Sequence, residues 1–221
     1  QRRAIARSYL ANVSAAQEDL PDALKLIEES LTELTELIKL VGDKPQYRSS
    51  YAAVLERKGQ LLTYLDRNDD ALACWQEAAE EWDKVLQMNP VADKQFLLAQ
   101  LIVHHPHPQL HNDESLTRAE ELAAQCVGKT RGNAQYQNLL AHAQLLNGKL
   151  EAASRSLMAA RLARQYRNGL DDLVASLLAT AQDDQAAADQ YAAAARDWFA
   201  KEQPGNPRMK WLLEQFLPES P

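Results

Sequence analysis

Glycine is scarce in this chain, with seven in 221 residues. Aromatics make up 6%, cysteine appears twice, and no run of about 18 apolar residues occurs. Each scarcity excludes something. No glycine-rich loop is present to cradle a nucleotide phosphate. Without a long apolar run no membrane-spanning helix is expected, and no secretory leader is legible at the start. The two cysteines, Cys74 and Cys126, are too few for a disulfide framework. Cys74 stands beside the bulky Trp75 and Cys126 at a small-residue position, so both read as buried free thiols, with a disulfide as the alternative. Basic residues do not dominate. Lys and Arg number 24 against 31 Asp and Glu, a net charge of −7, which argues against nucleic acid as the main partner because phosphates need a basic surface. Free thiols lean toward a cytoplasmic location, with an extracytoplasmic one open if a membrane helix lies upstream. The chain opens on Gln1 rather than Met, and is read as a segment of something longer.

What is abundant points one way. The chain is 46% apolar and rich in Ala, Leu and Gln, residues that lose little entropy in a helix. Apolar residues recur with helical spacing almost throughout, and no strand pattern interrupts them. Asp19 with Pro21 marks one helix start, Asn147-Gly148 one tight turn, and Pro204-Gly205-Asn206-Pro207 a break before a last amphipathic segment, Arg208–Leu217.

A register recurs within the helices. Ala23, Ala71, Ala153 and Ala187 each follow a small residue twelve positions earlier (Ala11, Gly59, Ala141, Ala175). Each precedes a large residue by four (Ile27, Trp75, Leu157, Tyr191), with a small one three further on (Ser30, Ala78, Ala160, Ala194). Small residues let two helix backbones approach, and the large one fills the groove between them. Seven residues beyond the large positions the seam continues through Leu34, Trp82 and Trp198, whereas Arg164 in the equivalent place is expected in solvent. Counting a degenerate site at Ala119, the intervals are 48, 48, 34 and 34 residues. The shorter interval is a known helical-repeat length, and the longer one predicts longer helices in the first two repeats.

With these residues the chain resembles tetratricopeptide repeat (TPR) proteins over nearly its whole length, best at Leu55–Ala78 and Gln137–Ala160. It departs from the pattern at Gln137 and Asp171, where bulky residues are usual, and the customary turn glycine survives only as Gly148. The resemblance implies an all-α fold: a right-handed α-solenoid of about five TPR-like helical hairpins plus a C-terminal capping helix. Residues 1–203 form the array, with long-helix repeats at 4–90, an irregular repeat at 91–128 and regular repeats at 133–203. Residues 204–221 form the capping helix and tail. A narrower resemblance, to the TPR regions attached to planctomycete-type bacterial serine/threonine kinases, rests on Lys44-Pro45-Gln46-Tyr47-Arg48. It rests also on Pro106-His107-Pro108-Gln109-Leu110 followed by Ala119-Glu120-Glu121-Leu122-Ala123. No kinase motif is present, so no catalysis is carried over.

The TPR register places the first helix of each hairpin on a concave side. The candidate partner-binding residues there are Asn12, Glu56, Arg57, Gln60, Asn138, His142 and Ser176. Asn12 matches an asparagine with which peptide-gripping TPR proteins hold a terminal carboxylate, but the lysine expected four residues earlier is Ser8, so the clamp is incomplete. The implied function is a non-catalytic scaffold for a protein or peptide, with no cofactor and no catalytic residue. It is either part of a kinase or a free-standing TPR regulator. A competing reading takes His104, His105, His107 and His111 as a metal site, with His105, His107 and His111 as the ligand candidates. The bland counterpart is a surface loop, stiffened by Pro106 and Pro108. The carboxylates Glu28, Glu29, Glu33 and Glu36, and Glu77, Glu80, Glu81 and Asp83, read as solvated helix faces rather than acid–base pairs. Trp211, Leu212, Leu213 and Phe216 read as a cap over the apolar end of the array, with an exposed docking strip as the alternative. Such a cap serving a second molecule makes a dimer, so monomer and dimer both stay open.

Overall fold

The computed structural model describes every residue except Glu18, Pro106, Pro108, Arg131, Gln165, Pro204, Gly205 and residues 218–221, together with the side chains of Ala16, Pro207 and Arg208. The proline restriction of the His loop and the Pro204-Gly205 break therefore lie outside the described residues. Among those described there are eleven helices and no strand. They run α1 Arg2–Ala16, α2 Leu20–Val41, α3 Pro45–Tyr64, α4 Asn68–Met88, α5 Ala92–His104 and α6 Asp113–Lys129, then α7 Ala134–Leu146, α8 Leu150–Ala163, α9 Gly169–Ala181, α10 Gln185–Glu202 and α11 Pro207–Phe216. Helices α1 and α2, α3 and α4, α7 and α8, and α9 and α10 pair as hairpins, and Gln95 of α5 bonds Gln125 and Lys129 of α6. No described helix is long and apolar enough to cross a membrane. The chain divides into two compact units, Gln1–Lys94 and Gln95–Pro221.

In the first unit the register alanines are core. Ala11, Ala23, Ile27 and Leu34 are buried together with Val54 and Leu61. Ser30, also fully buried, turns its hydroxyl onto the Ala4 carbonyl oxygen at 2.9 Å, which satisfies it and ties α2 to α1. In the second hairpin Gly59 shows why the first helix needs a small residue. A Cβ there would stand 2.2 Å from Trp75 Nε1, inside the indole that fills the gap between α3 and α4. Both Cys74 and Cys126 are buried free thiols, and burial pushes the Cys74 thiol up from its ordinary value.

Helix length differs between hairpins. The pair α3 and α4 has 20 and 21 residues, whereas α7 and α8 have 13 and 14. Each long helix thus gains about two turns. The third hairpin reaches its long interval differently, through the segment between α5 and α6, since α5 has only 13 residues.

The last hairpin corrects the register. The turns before α4, α8 and α10 are one structure repeated. Asp66, Gly148 and Asp183 hold φ values of 56°, 70° and 61°. In each turn the next amide reaches back to a carbonyl of the preceding helix: Arg67 to Leu62 at 2.8 Å, Lys149 to Gln144 at 2.9 Å, Asp184 to Ala179 at 2.9 Å. This is a helix stop built on the left-handed conformation that glycine takes most easily. Five residues after each comes the buried alanine, and in the last hairpin that is Ala188, not Ala187. The buried face of α10 is accordingly Ala188, Ala192, Ala195 and Phe199. Ala187, Tyr191, Ala194 and Trp198 are only half-buried. The final interval is 35 residues instead of 34.

Candidate functional site

Each first helix shows a face one position after, and three before, its small core residue. In the first unit this face carries Ser8 and Asn12 on α1 and Glu56 and Gln60 on α3. Asn12, Arg57 and Gln60 are half-buried, so their side chains reach solvent, whereas Glu56 and Ser8 are buried. Arg57 bridges the two helices. Its Nη1 donates to Ser8 Oγ at 2.6 Å, and its guanidinium lies 5.2 Å from the centre of the Tyr9 ring. Tyr9 is itself exposed, as are its neighbours Leu10 and Val13. Adjoining α1 and α3 thus present an aromatic ring and a cation together, with the amides of Asn12 and Gln60 half-buried on the same helices.

In the second unit the same face is drawn inward. Asn138 is buried and donates through Nδ2 to Asp171 Oδ1 at 2.8 Å. Burial lifts the Asp171 carboxyl above its ordinary range, while Arg164, whose Nε stands 2.9 Å from Asp171 Oδ2, pulls the other way. Arg164 therefore does not point to solvent. Its side chain is 8% exposed, because the carboxylate of Asp171 offers a better partner than water at that depth. Beside it Asp172 pairs with Arg161 at 3.2 Å and Arg167 at 2.7 Å. The arginines, with Tyr166 and Tyr191, line an open cleft of about 440 Å³. Each guanidinium there faces an aspartate, which makes the cleft a network that holds the α8–α9 junction.

His142 and Ser176 are placed apart from a solvent groove. His142 is 1% exposed, and its Nε2 has no hydrogen-bond partner among the described residues. Its ring packs edge-on to Phe216 at 5.0 Å and against His104 at 5.8 Å. That enclosure lowers its pKa to about 3, chiefly by desolvation and then by His111, so the imidazole is neutral. Ser176 is corrected by the register: it is the small residue of its hairpin, buried, donating to the Ala188 carbonyl oxygen at 2.9 Å. The face positions of α9 are instead Leu173 and Leu177, which the sequence reading missed. Counting five residues from the Asp183 turn, as from Gly148, finds them.

Two of the four clustered histidines lie in the interior rather than on a surface loop. His104 and His105 are buried, the latter with its ring 4.7 Å from Trp211. His111 Nε2 lies 2.8 Å from the Ile102 carbonyl oxygen, and burial lowers its pKa. His107 Nδ1 accepts from the Gln109 amide at 3.2 Å. The three ligand candidates thus serve three different contacts, and no group of three His, Cys, Asp or Glu able to hold a metal occurs among the described residues. Glu81 is not a solvated carboxylate either: it is buried and paired with Arg48 and Lys84.

No known family's sequence profile matches this chain, and no curated protein does. Solved structures do. A thermophilic TPR protein of Thermus thermophilus, TTC0263, superimposes with a TM-score of 0.60 at 14% identity, over 95% of this chain and 98% of that one. The putative kinesin light chain of Podosopora anserina, built of nearly identical TPR-like repeats, gives 0.54 at 18% identity over 91% and 96%. MamA from residue 41 onward, of Desulfovibrio magneticus, gives 0.50 at 14% identity over 92% and 98%. The fold of this chain is therefore the all-α TPR solenoid fold. At these identities the likeness concerns the fold alone.

Proposed function

We propose that the chain is a non-catalytic interaction scaffold, binding a protein or peptide on the first-helix faces of its hairpins. One observation carries this reading: the Arg57 guanidinium of α3 lies 5.2 Å from the ring of the exposed Tyr9 on α1, and the half-buried Asn12 and Gln60 stand on the same two helices. A ring and a cation side by side, with amides on the same helices, suit the backbone and side chains of a bound segment. The test is selection of a displayed peptide library on the full chain, followed by affinity measurement. The double variant Arg57→Glu, Gln60→Ala is expected to weaken selected peptides by about tenfold or more. Lys39→Glu, on an exposed position of α2, is expected to leave them unchanged. Equal losses in both variants, or no enriched peptide, overturn the reading.

Its finer version makes the chain the regulatory or recruiting region of a bacterial serine/threonine kinase. The motif Pro45-Gln46-Tyr47-Arg48 supports it, although Arg48 has a structural use of its own, pairing with Asp43 and Glu81 to tie the start of α3 to α4. The coding sequence upstream of Gln1 tests it. A kinase domain there supports the attachment, and a start codon immediately before Gln1 makes the chain a free-standing regulator.

A further inference from the structure

Helix α11 does not merely close the end of the hairpin series. Trp211 reaches the imidazole of His105 just past α5, Phe216 reaches His142 on α7, and Leu217 packs against Leu173 of α9 in a cluster that includes Ala192, Ala195 and Phe199 of α10. A cap on the last hairpin would touch α9 and α10 alone. The positions under α11 are instead face positions of successive first helices: His142 on α7, Leu173 and Leu177 on α9. In the second unit α11 therefore lies where the scaffold reading seats a partner.

The geometry points to a docking groove for an amphipathic helix from a partner protein, in which α11 is a resident competitor. This rests on the scaffold reading. The resident defines what the groove accepts. Trp211, Leu212 and Leu217 are buried and Phe216 partly so, while Lys210, Glu214 and Gln215 are exposed. The partner helix presents an aromatic residue, an adjacent Leu, a second aromatic five residues after the first, and no charge on that face. A charge there would meet the buried histidines and leucines without a counter-ion. Two features make α11 displaceable. It is only ten residues long, too short to hold itself helical without the groove. It also leaves His142 Nε2 buried with no partner among the described residues. A helix carrying a hydroxyl or amide at the Phe216 position can satisfy that nitrogen and gain about tenfold in affinity.

The experiment uses the full chain and a fluorescein-labelled peptide of residues 206–217, read by anisotropy. The wild-type chain is expected to bind it weakly. The full-length double variant Trp211→Ala, Phe216→Ala, whose α11 grips less while the groove is intact, is expected to bind at least about tenfold more tightly. The peptide bearing Phe216→Tyr is expected to outcompete its parent, and the peptide bearing Trp211→Ala to lose binding. In native-state hydrogen exchange on the wild-type chain, the α11 amides are expected to exchange well ahead of those in α7 and α9. The proposal is overturned by equal peptide binding in both proteins, by none in the variant, or by a variant that loses its cooperative melt, since α11 would then be obligatory core. It is overturned too by α11 amides as slow as those of α9, or by a wild-type dimer in light scattering that exchanges α11 between copies. Library peptides that still depend on Arg57 and Gln60 would leave the scaffold reading standing in any of those cases.

Discussion

Asp66 and Asp183 take the place of glycine in the turns before α4 and α10, at φ values of 56° and 61°. An L-residue pays a steric cost there that glycine avoids. Asp66→Gly and Asp183→Gly should each stabilise the chain by about 0.5–1 kcal/mol. Gly148→Ala, in the matching turn, should cost about 1 kcal/mol. Urea unfolding of the single variants checks both signs. His142 gives the chain an acid sensitivity. Its folded pKa near 3 lies below its ordinary value of 6.5, so between the two the unfolded chain binds a proton that the folded chain refuses. Stability is thus full above about pH 6.5 and falls on acidification by up to about 1.4 kcal/mol per pH unit. His111, also lowered by burial, adds in the same direction. Asp171, held up by burial, contributes in the opposite sense, and comparing variants cancels it. His142→Phe should flatten the decline between pH 6.5 and 4 in urea unfolding, and an unchanged slope would refute the assignment.

At the scale of elements, α10 decides how much a register can be read from alanines. Its sequence offers Ala186, Ala187 and Ala188 in a row and four more from Ala192 to Ala195, so two phases one residue apart both look like small–large–small. Packing against α9 and α11 selects the phase with Ala188 and Phe199 inward. Ala188→Leu should therefore destabilise by about 2–3 kcal/mol through overpacking, and Ala187→Leu by less than about 0.5 kcal/mol. Thermal melts separate them, and similar losses would put the phase in doubt. Elsewhere the register was legible, because Gly59 with Trp75 and Ala11 with Ile27 leave only one phase that fills space. Helix starts were legible where a side chain closes them locally, as Asp19 accepts from the Asp22 amide at 3.1 Å and Asn133 from Gln135 at 2.9 Å. The start of α4 was not, since Arg67 precedes it with no side-chain cap.

Across the whole molecule the candidate site residues differ in depth. Residues read as one groove behave in two ways: Asn12, Arg57 and Gln60 reach solvent, whereas Glu56 in the first unit and Asn138, His142 and Ser176 in the second are enclosed. The separate contacts of His105, His107 and His111 bear on the metal alternative. Addition of EDTA should leave the melting temperature unchanged, and a fall of more than about 5 °C would reveal a structural metal, since that is one to two kcal/mol for a chain of this size. The helical hairpins and the small–large–small seams of the first, second and fourth of them, at Ala23, Ala71 and Ala153, were determined by the sequence alone. They depend on which residues lie three, four, seven and twelve positions apart, and helical geometry turns that spacing directly into neighbours. The tertiary structure alone decided the phase of α10, the ion-paired burial of Arg164 and the seat of α11. Each depends on partners distant in the chain, where the depth of burial and the nearest counter-charge, not local spacing, set the free energy of a side chain. For α11 the sequence offered an amphipathic helix with an apolar face to cover, and only the folded α7 and α9 could show that the cover is a groove.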